Sequence, residues 1–150
     1  MISVQREDFD AGAEIEQLGQ ADGDTGAVVS FTGVVRRGAP DDPLLSMTLE
    51  HYPGMTEKCL ADIEAQARER WPLSDVLIIH RYGTLKPSDR IVLVVAAAQH
   101  RAAAFEAVQF LMDYLKTDAP FWKREVRHSG TVWVEAKSQD ASARARWTAA

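Results

Sequence analysis

Hydrophobic and polar positions alternate along the chain with two different periods. Residues 55–70 and 101–116 repeat their apolar positions at the three- and four-residue spacing of an amphipathic helix. The apolar positions of these stripes are Met55, Cys59, Leu60, Ile63 and Ala67, then Phe105, Val108, Leu111, Met112 and Leu115. The second helix should end before Pro120, because proline disfavours the helical conformation of the residue preceding it. The pattern therefore predicts two long helices, and a short one over residues 10–20.

Other stretches have the composition and the two-residue alternation of β-strands. The predicted strands are residues 25–36, 45–52, 75–83, 90–98 and 131–136. In the second of them, the alternation directs Leu45, Met47 and Leu49 toward a core. The third and fourth are joined by turn residues and are expected to form a hairpin.

The order of these elements indicates a single α+β domain. Strands and helices are mixed rather than strictly alternating, which favours a mixed or antiparallel sheet. The 150 residues, 46% of them hydrophobic, suffice for one core, so one domain over residues 1–150 is expected. Residues 37–44 combine glycine, proline and aspartate and predict an exposed, mobile loop. The segment from about residue 138 is expected to be a flexible tail.

Charge and cysteine usage exclude several classes of function. The formal net charge of -5 argues against a broad nucleic-acid-binding face, so an anionic ligand must be met by local cations. The single cysteine, Cys59, excludes an intrachain disulfide and a multi-thiolate zinc site, and it fits a reducing cytoplasm. The longest apolar run, residues 91–98, is far shorter than the ~20 residues of a membrane-spanning helix. We predict no metal and no membrane contact.

Most residues with reactive side chains have a structural interpretation. Cys59 lies on the apolar stripe of a helix, where it acts as a small hydrophobe. His80 lies in an apolar strand and His51 at a strand end, and both suit hydrogen-bonded structural imidazoles. His128 precedes Ser129 and Gly130 and predicts a solvated turn. No Ser-His-Asp arrangement can be assigned from residue order.

Two groups of cations suggest binding or catalysis. His100 and Arg101 stand where a buried strand gives way to a helix, and a helix N-terminus favours anions such as phosphate. A solvated arginine that begins a helix is the alternative. Lys116 and Lys123 flank the Pro120 break beside Phe121 and Trp122, so both ammonium groups can share one pocket walled by aromatic rings. Surface cations at a helix C-terminus, with Lys123 and Arg124 paired to Glu125, are the alternative.

The sequence resembles the large, catalytic subunit of molybdopterin synthase. The stretches that carry the resemblance are FTGVVR (31–36), LEHYPGMTEK (49–58), IHRYG (79–83), HRAAAFEAVQFLMDYLKTDAPFWKRE (100–125) and WVEA (133–136). They span nearly the whole chain in the family's order, and the block around MDYLKTDAPFWKRE is long and specific.

The resemblance implies an α/β hammerhead-type fold in a subunit that dimerises. Each end of that dimer would bind a small ubiquitin-like sulfur carrier, giving a heterotetramer. The implied reaction converts cyclic pyranopterin monophosphate into molybdopterin by installing two dithiolene sulfurs. Each sulfur would come from the thiocarboxylate at the carrier's Gly-Gly C-terminus, so neither a cofactor nor a reactive cysteine is implied.

The resemblance also implies roles for individual residues. Lys116 matches the principal catalytic lysine, and Lys123 matches the second. The substrate-binding set that the resemblance implies is Arg36, His100, Arg101, Lys116 and Lys123, with Arg124 and Glu125 as weaker candidates. Val34 stands where relatives often have lysine, so a contribution of that side chain is not carried over.

Two further expectations concern the carrier's tail and the assembly of the site. The carrier's tail should reach Lys116 through a channel near Phe121 and Trp122. Because Arg101 and Lys116 would lie at opposite ends of one helix, a site containing both should combine two subunits. The alternatives from other classes are an adaptor that docks a ubiquitin-like tail without catalysis, and a small RNA-binding α+β domain, which lacks its basic surface here.

Overall fold

A computed structural model describes residues 1–19, 23–134 and 138–148 of the chain. Its elements, in chain order, are β1 (Ile2–Gln5), α1 (Ala11–Gly19), β2 (Ala27–Val34), β3 (Leu44–His51), α2 (Met55–Arg70), β4 (Leu73–Arg81), β5 (Gly83–Leu85), β6 (Arg90–Ala98), α3 (Arg101–Asp118), β7 (Phe121–Arg127), β8 (Gly130–Val134) and α4 (Ser138–Ala145). Strands and helices are mixed, which confirms the predicted α+β class.

The strands form two four-stranded sheets. The first has the order β1-β4-β6-β2 and the second the order β5-β3-β7-β8. Only the β1–β4 pairing is parallel among the described strands; the other pairings are antiparallel. β4 and β6 pair as predicted, but the segment between them supplies β5 to the second sheet. That connection ties the two sheets together.

The two central strands of the first sheet, β4 and β6, are buried on both faces. On one face Val76, Ile78 and Val94 pack into the main core with α2 and α3, whose buried side chains include Leu60 and Phe110. On the other face Leu77, Ile79, Leu93 and Val95 form a smaller cluster with Phe9 and Leu18. Each buried aliphatic side chain contributes roughly 1.5–3 kcal/mol. The sheet is therefore a firm platform for α3.

Leu45 does not point into the core as the alternation predicted. A register irregularity between Leu44 and Ser46 interrupts the pairing of β3 with β7. The extra residue shifts the alternation, so Leu44 is buried while Leu45 is 44% exposed. Met47 and Leu49 are buried as predicted.

The apolar stripes of both long helices were predicted one residue out of place at their N-terminal ends. Met55 is exposed and the neighbouring Thr56 is buried, where its hydroxyl is satisfied by donating a hydrogen bond to the carbonyl of Tyr52. Phe105 is 61% exposed, whereas Ala104 is completely buried. The small alanine lets α3 lie close to the sheet, which leaves the phenyl ring in solvent.

Besides β5, the sequence prediction lacked β1, β7 and α4. β7 is the polar stretch FWKREVR, which gains its hydrogen bonds from β3 on one side and β8 on the other. β8 ends at Val134; Glu135 and Ala136 of the predicted last strand lie outside the described residues. The segment from residue 138, which was not expected to form an element, begins with α4, and this helix packs on α3.

The C-terminal segment is fastened to α3 by the buried carboxylate of Asp113. This carboxylate accepts hydrogen bonds from Trp147 Nε1 at 2.7 Å, from the Arg146 guanidinium at 2.8 Å and from Gln109 Nε2 at 3.1 Å. A second, more exposed pair joins Arg144 to Asp118.

Asp113→Ala should lower the free energy of unfolding by about 1–3 kcal/mol, because it leaves a partly buried indole N–H and a guanidinium without their acceptor. Asp118→Ala removes the exposed pair and should cost less than about 1 kcal/mol. Urea denaturation of both variants measures the difference. Equal losses would show that Asp113 has no special role in holding the segment.

Candidate functional site

A cleft of about 650 Å³ opens between the end of β2, the start of the 37–44 loop and β7. Its lining residues include Phe31, Gly33, Val34, Arg36, Gly38, Lys116, Lys123, Glu125, Arg127 and Val134. Its volume is in the range of small-molecule sites. The structure therefore places three of the predicted site cations, Arg36, Lys116 and Lys123, in one cavity.

The two lysines reach the cleft from different elements. Lys116 lies in the last turn of α3, which ends at Asp118 because Ala119, preceding Pro120, is extended. Lys123 lies on β7, where alternate residues share a face, so its side chain projects on the side of Phe121, Glu125 and Arg127. The predicted break at Pro120 thus brings the second lysine back toward the first.

The buried ring of His80 lies close enough to Lys116 and Lys123 to be affected by the positive charges of both. The ring is buried, Nδ1 lies 2.8 Å from the carbonyl oxygen of Arg81, and the ring is stacked on Phe121 with centroids 3.8 Å apart. Burial is the largest of the causes that lower the pKa of His80 from 6.5 to about 3; the hydrogen bond to the Arg81 carbonyl opposes this shift, and the charges of Lys116, Lys123 and His51 add to it. The predicted structural imidazole is therefore neutral and lies beside the lysine pair.

The stability of the protein should fall as the pH is lowered from about 6.5 to about 3. In this window His80 takes up a proton in the unfolded chain, at a pKa near 6.5, but not in the fold. Acid therefore favours unfolding, with a slope of up to about 1.4 kcal/mol per pH unit. Urea denaturation at several pH values should show this slope in the wild type and a smaller one in His80→Phe. Equal slopes would contradict the assignment.

Arg127 is a cleft residue that sequence reasoning missed. Its guanidinium donates to Glu125 Oε2 at 3.0 Å and to the carbonyl of Asp42 at 2.7 Å. Asp42 also accepts hydrogen bonds from the Ser129 backbone and hydroxyl, and that hydroxyl is the main cause that lowers the pKa of Asp42. The 37–44 loop is largely exposed, as expected, and these bonds tether it to the β7–β8 hairpin.

The β2 wall of the cleft is shaped by an irregular strand end. The register of β2 against β6 shifts between Gly33 and Val34. A Cβ at Gly33 would lie 2.6 Å from Val92 Cγ1, so only glycine allows this close approach. Val34 lines the cleft with a half-exposed apolar side chain.

Other predicted site residues lie outside the cleft. His100 and Arg101 are exposed at the N-terminus of α3, which is continuous to Asp118. Fifteen residues at ~1.5 Å rise separate the backbones of Arg101 and Lys116 by roughly 22 Å. Arg124 points to the opposite face of β7 from Lys123, where its guanidinium lies over the Trp133 ring at 5.9 Å. Trp122 shares that opposite face and contacts Tyr52, while Phe121 stacks on His80. Neither ring is among the described residues that line the cleft, so the predicted wall of Phe121 and Trp122 is wrong.

The remaining candidates have the structural surroundings that the sequence indicated. His51 Nδ1 and the Thr56 hydroxyl form a hydrogen bond of 3.0 Å, His128 is exposed at the β7–β8 turn, and Cys59 is half-buried on α2. Within the described ranges, no cluster of three or more His, Cys, Asp and Glu side chains could hold a metal ion. No helix in the described part of the chain is long and apolar enough to cross a membrane.

Comparison with known proteins gives consistent matches over almost the whole chain. Residues 4–118 match the family described as MoaE protein. The molybdopterin synthase catalytic subunit of Escherichia coli K12 is 54% identical over 146 residues, 97% of each chain. The solved structure of a molybdopterin biosynthesis MoaE protein from Burkholderia ambifaria superposes with a TM-score of 0.85 at 48% identity, covering 100% of this chain and 99% of that one.

A more distant structure shares the fold. It is described as a protein-protein complex of subunits 1 and 2 of molybdopterin-converting factor from Helicobacter pylori, and one of its chains matches with a TM-score of 0.74 at 17% identity. The match covers 91% of this chain and 92% of that one.

Proposed function

This chain belongs to the MoaE protein family, and from that premise we propose that it is the catalytic subunit of a molybdopterin synthase. The observation that carries the proposal is the cleft in which Arg36, Lys116 and Lys123 meet. Three cations around one cavity of small-molecule size suit a phosphorylated pterin and a carrier's thiocarboxylate. The substrate is cyclic pyranopterin monophosphate, and the product is molybdopterin, which carries the newly formed dithiolene.

Each cation of the cleft has a chemical role in this proposal. Lys116, which is exposed to solvent at the helix end, exchanges protons at the thiocarboxylate carbonyl and at the substrate. Lys123 is half-buried on a strand and stabilises negative charge as it develops. Arg36 holds the cyclic phosphate, since a guanidinium can bind phosphate through two parallel hydrogen bonds. Glu125 and Arg127 fix each other across the cleft wall.

We further propose that the complete site combines two copies of the chain. His100 and Arg101 are too far from Lys116 along a continuous helix for one small pterin to contact both ends. A two-fold dimer would bring the N-terminus of one α3 to the lysine cleft of the other subunit, and symmetry would create two equivalent pockets.

The partner is a small sulfur-carrier subunit of ubiquitin-like form. One chain in a solved complex of subunits 1 and 2 of a molybdopterin-converting factor shares this fold. That complex supports a second, small subunit as the partner. The carrier's C-terminal tail was expected to pass near Phe121 and Trp122, but neither is among the described residues that line the cleft. We propose instead that the tail enters past Phe31 and Val34, which are exposed at the cleft on β2. β2 is an outer strand of its sheet, so an extended tail can run beside it. The lone free cysteine suits a reducing cytoplasm, where we place the reaction.

Replacing the carrier's terminal Gly-Gly with bulkier residues should reduce sulfur transfer by about a hundredfold or more, because a misplaced reacting group loses most of its rate advantage. The change should leave docking of the folded carrier domain largely intact. Single-turnover transfer and binding titrations with the same carrier variants separate the two effects. Unchanged transfer with the bulky tail would rule out threading into the cleft.

The proposed function is tested by reconstitution. The purified chain, a thiocarboxylated carrier and cyclic pyranopterin monophosphate should together form molybdopterin, detected as its oxidised fluorescent derivative. A carrier ending in an ordinary carboxylate is the matched control and should give no product. Tight carrier binding without any dithiolene product would favour the adaptor alternative instead.

A further inference from the structure

Arg127 joins the wall of the cleft to the 37–44 loop. Its side chain is only 23% exposed, and the two ends of its guanidinium bond in different directions. Nη2 donates to Glu125 Oε2 on the same face of β7 at 3.0 Å, and Nη1 donates to the carbonyl of Asp42 at 2.7 Å. Glu125 and Arg127 line the cleft. One side chain of the cleft wall therefore holds the far end of the loop.

The same guanidinium also lies beside the near end of the loop. A Cβ at Gly38 would stand 3.4 Å from Arg127 Nη1 and 3.5 Å from Nη2. Gly38 has a φ of +79°, which glycine adopts without strain. The backbone of the loop therefore approaches the guanidinium at Gly38 and again at Asp42, so Arg127 fixes the loop at two separate points.

Arg36 stands where the loop begins, and the backbone on both sides of it is held. Val35 is 5% exposed, and both its amide and its carbonyl are hydrogen-bonded to the turn before β6. On the other side, the carbonyl of Arg37 accepts a hydrogen bond of 2.8 Å from the amide of Leu44. The position of Arg36 at the cleft therefore depends on the loop remaining folded on β7.

A second anchor holds the loop from outside the cleft. The carboxylate of Asp42 accepts hydrogen bonds from the Ser129 hydroxyl at 2.6 Å and from the Ser129 amide at 3.3 Å. Asp42 is not among the described residues that line the cleft. A change of this carboxylate can therefore loosen the loop without removing any described group from the cleft.

We propose that Arg127 is a positioning residue for substrate binding: its contacts hold the 37–44 loop on β7 and thereby keep Arg36 at the cleft before substrate arrives. The proposal rests on the proposed role of Arg36 in binding the cyclic phosphate. Ordering a loop on binding costs entropy, and a loop that is already ordered avoids this cost. If Arg36 is in place in only a fraction of the molecules, the apparent affinity falls by that fraction.

The test compares Arg127→Gln, Arg127→Lys and Asp42→Ala. Glutamine removes the charge and cannot donate in two directions to groups so far apart. Lysine keeps the charge, but its single ammonium cannot replace the two ends of a planar guanidinium. Asp42→Ala removes only the anchor to Ser129. Arg68→Ala, which breaks an exposed pair with Glu64 on α2, is the matched control for the loss of an arginine–glutamate pair.

The first measurement is hydrogen exchange of the loop amides in the free protein, with thermal unfolding as the check that each variant is folded. The reporters are the amides of Asp42 and Leu44, which are hydrogen-bonded within the loop. After correction for intrinsic rates, exchange should be about tenfold faster in both Arg127 variants, about threefold faster in Asp42→Ala and unchanged in Arg68→Ala. This measurement needs no substrate, so it tests the loop contacts even if reconstitution yields no product.

The second measurement is binding of cyclic pyranopterin monophosphate to the complex with a carboxylate-ended carrier, which cannot turn over. The Kd should rise about tenfold in Arg127→Gln and Arg127→Lys and about threefold in Asp42→Ala. With the thiocarboxylated carrier and saturating substrate, the single-turnover rate should stay within about twofold of wild type, because the loss is in binding rather than in the chemical step.

Three results would overturn the proposal. Unchanged loop exchange in folded Arg127→Gln would show that Arg127 does not hold the loop. Wild-type affinity in Arg127→Lys, with the loop still exchanging fast, would show that only the charge of this residue matters for binding. An unchanged Kd in Asp42→Ala despite faster exchange would show that the order of the loop does not control substrate binding.

Discussion

Lys116→Ala should reduce molybdopterin formation to less than about a hundredth of the wild-type rate, the range that one positioned acid–base group supplies. The side chain projects into the cleft from the last turn of α3 and is exposed, so its loss removes chemistry without removing core packing. The folded state and carrier affinity should therefore be nearly unchanged. Single-turnover assays at equal folded concentration measure the effect.

Two further lysine variants give this experiment its contrast. Lys123→Ala should be impaired less, because we assign it charge stabilisation rather than proton transfer. Lys86→Ala removes an exposed lysine in the turn before β6 and should behave as wild type. Near-normal product formation by Lys116→Ala would remove the central role assigned to this residue.

Mixing an Arg101→Ala chain with a Lys116→Ala chain should restore activity that neither variant has alone. If the site combines two subunits, each mixed dimer has one pocket with both lesions and one pocket that is intact. Activity should return to about half the wild-type level per mixed dimer. The expectation depends on the roughly 22 Å between the backbones of the two residues along one helix.

Subunit exchange must be verified by mass before the result is judged. A mixture of Arg101→Ala with a second preparation of Arg101→Ala is the matched control and should remain inactive. If mixed dimers form and activity does not return, the shared pocket is wrong and Arg101 acts within its own chain or elsewhere.

The helix pattern could be predicted from the sequence because its signals are local. Pro120 marks the end of α3, and the resulting helix length is enough to predict the separation of Arg101 from Lys116. The exact apolar stripe was less predictable, since the choice of Ala104 over Phe105 depends on how closely the sheet approaches. That approach is a tertiary effect, which periodicity does not contain.

β7 could not be recognised from its own residues. All seven of its side chains are half-buried, so the strand shows no apolar alternation, and its stability comes from pairing with β3 and β8. Because β7 was not predicted, the alternation of its side chains could not be used to decide which of them face the cleft. Alternation from Lys123 through Glu125 to Arg127 would have revealed Arg127 and excluded Arg124.

The origin of the two dithiolene sulfurs tests the account most directly. Wild-type chain and substrate would be incubated with a carrier whose thiocarboxylate contains a heavy sulfur isotope, and the product would be examined by mass spectrometry. The account predicts that both sulfur atoms are heavy, and that Cys59→Ser gives the same labelled product. Unlabelled sulfur in the product, or no product despite bound carrier, would contradict sulfur transfer at the Lys116–Lys123 cleft.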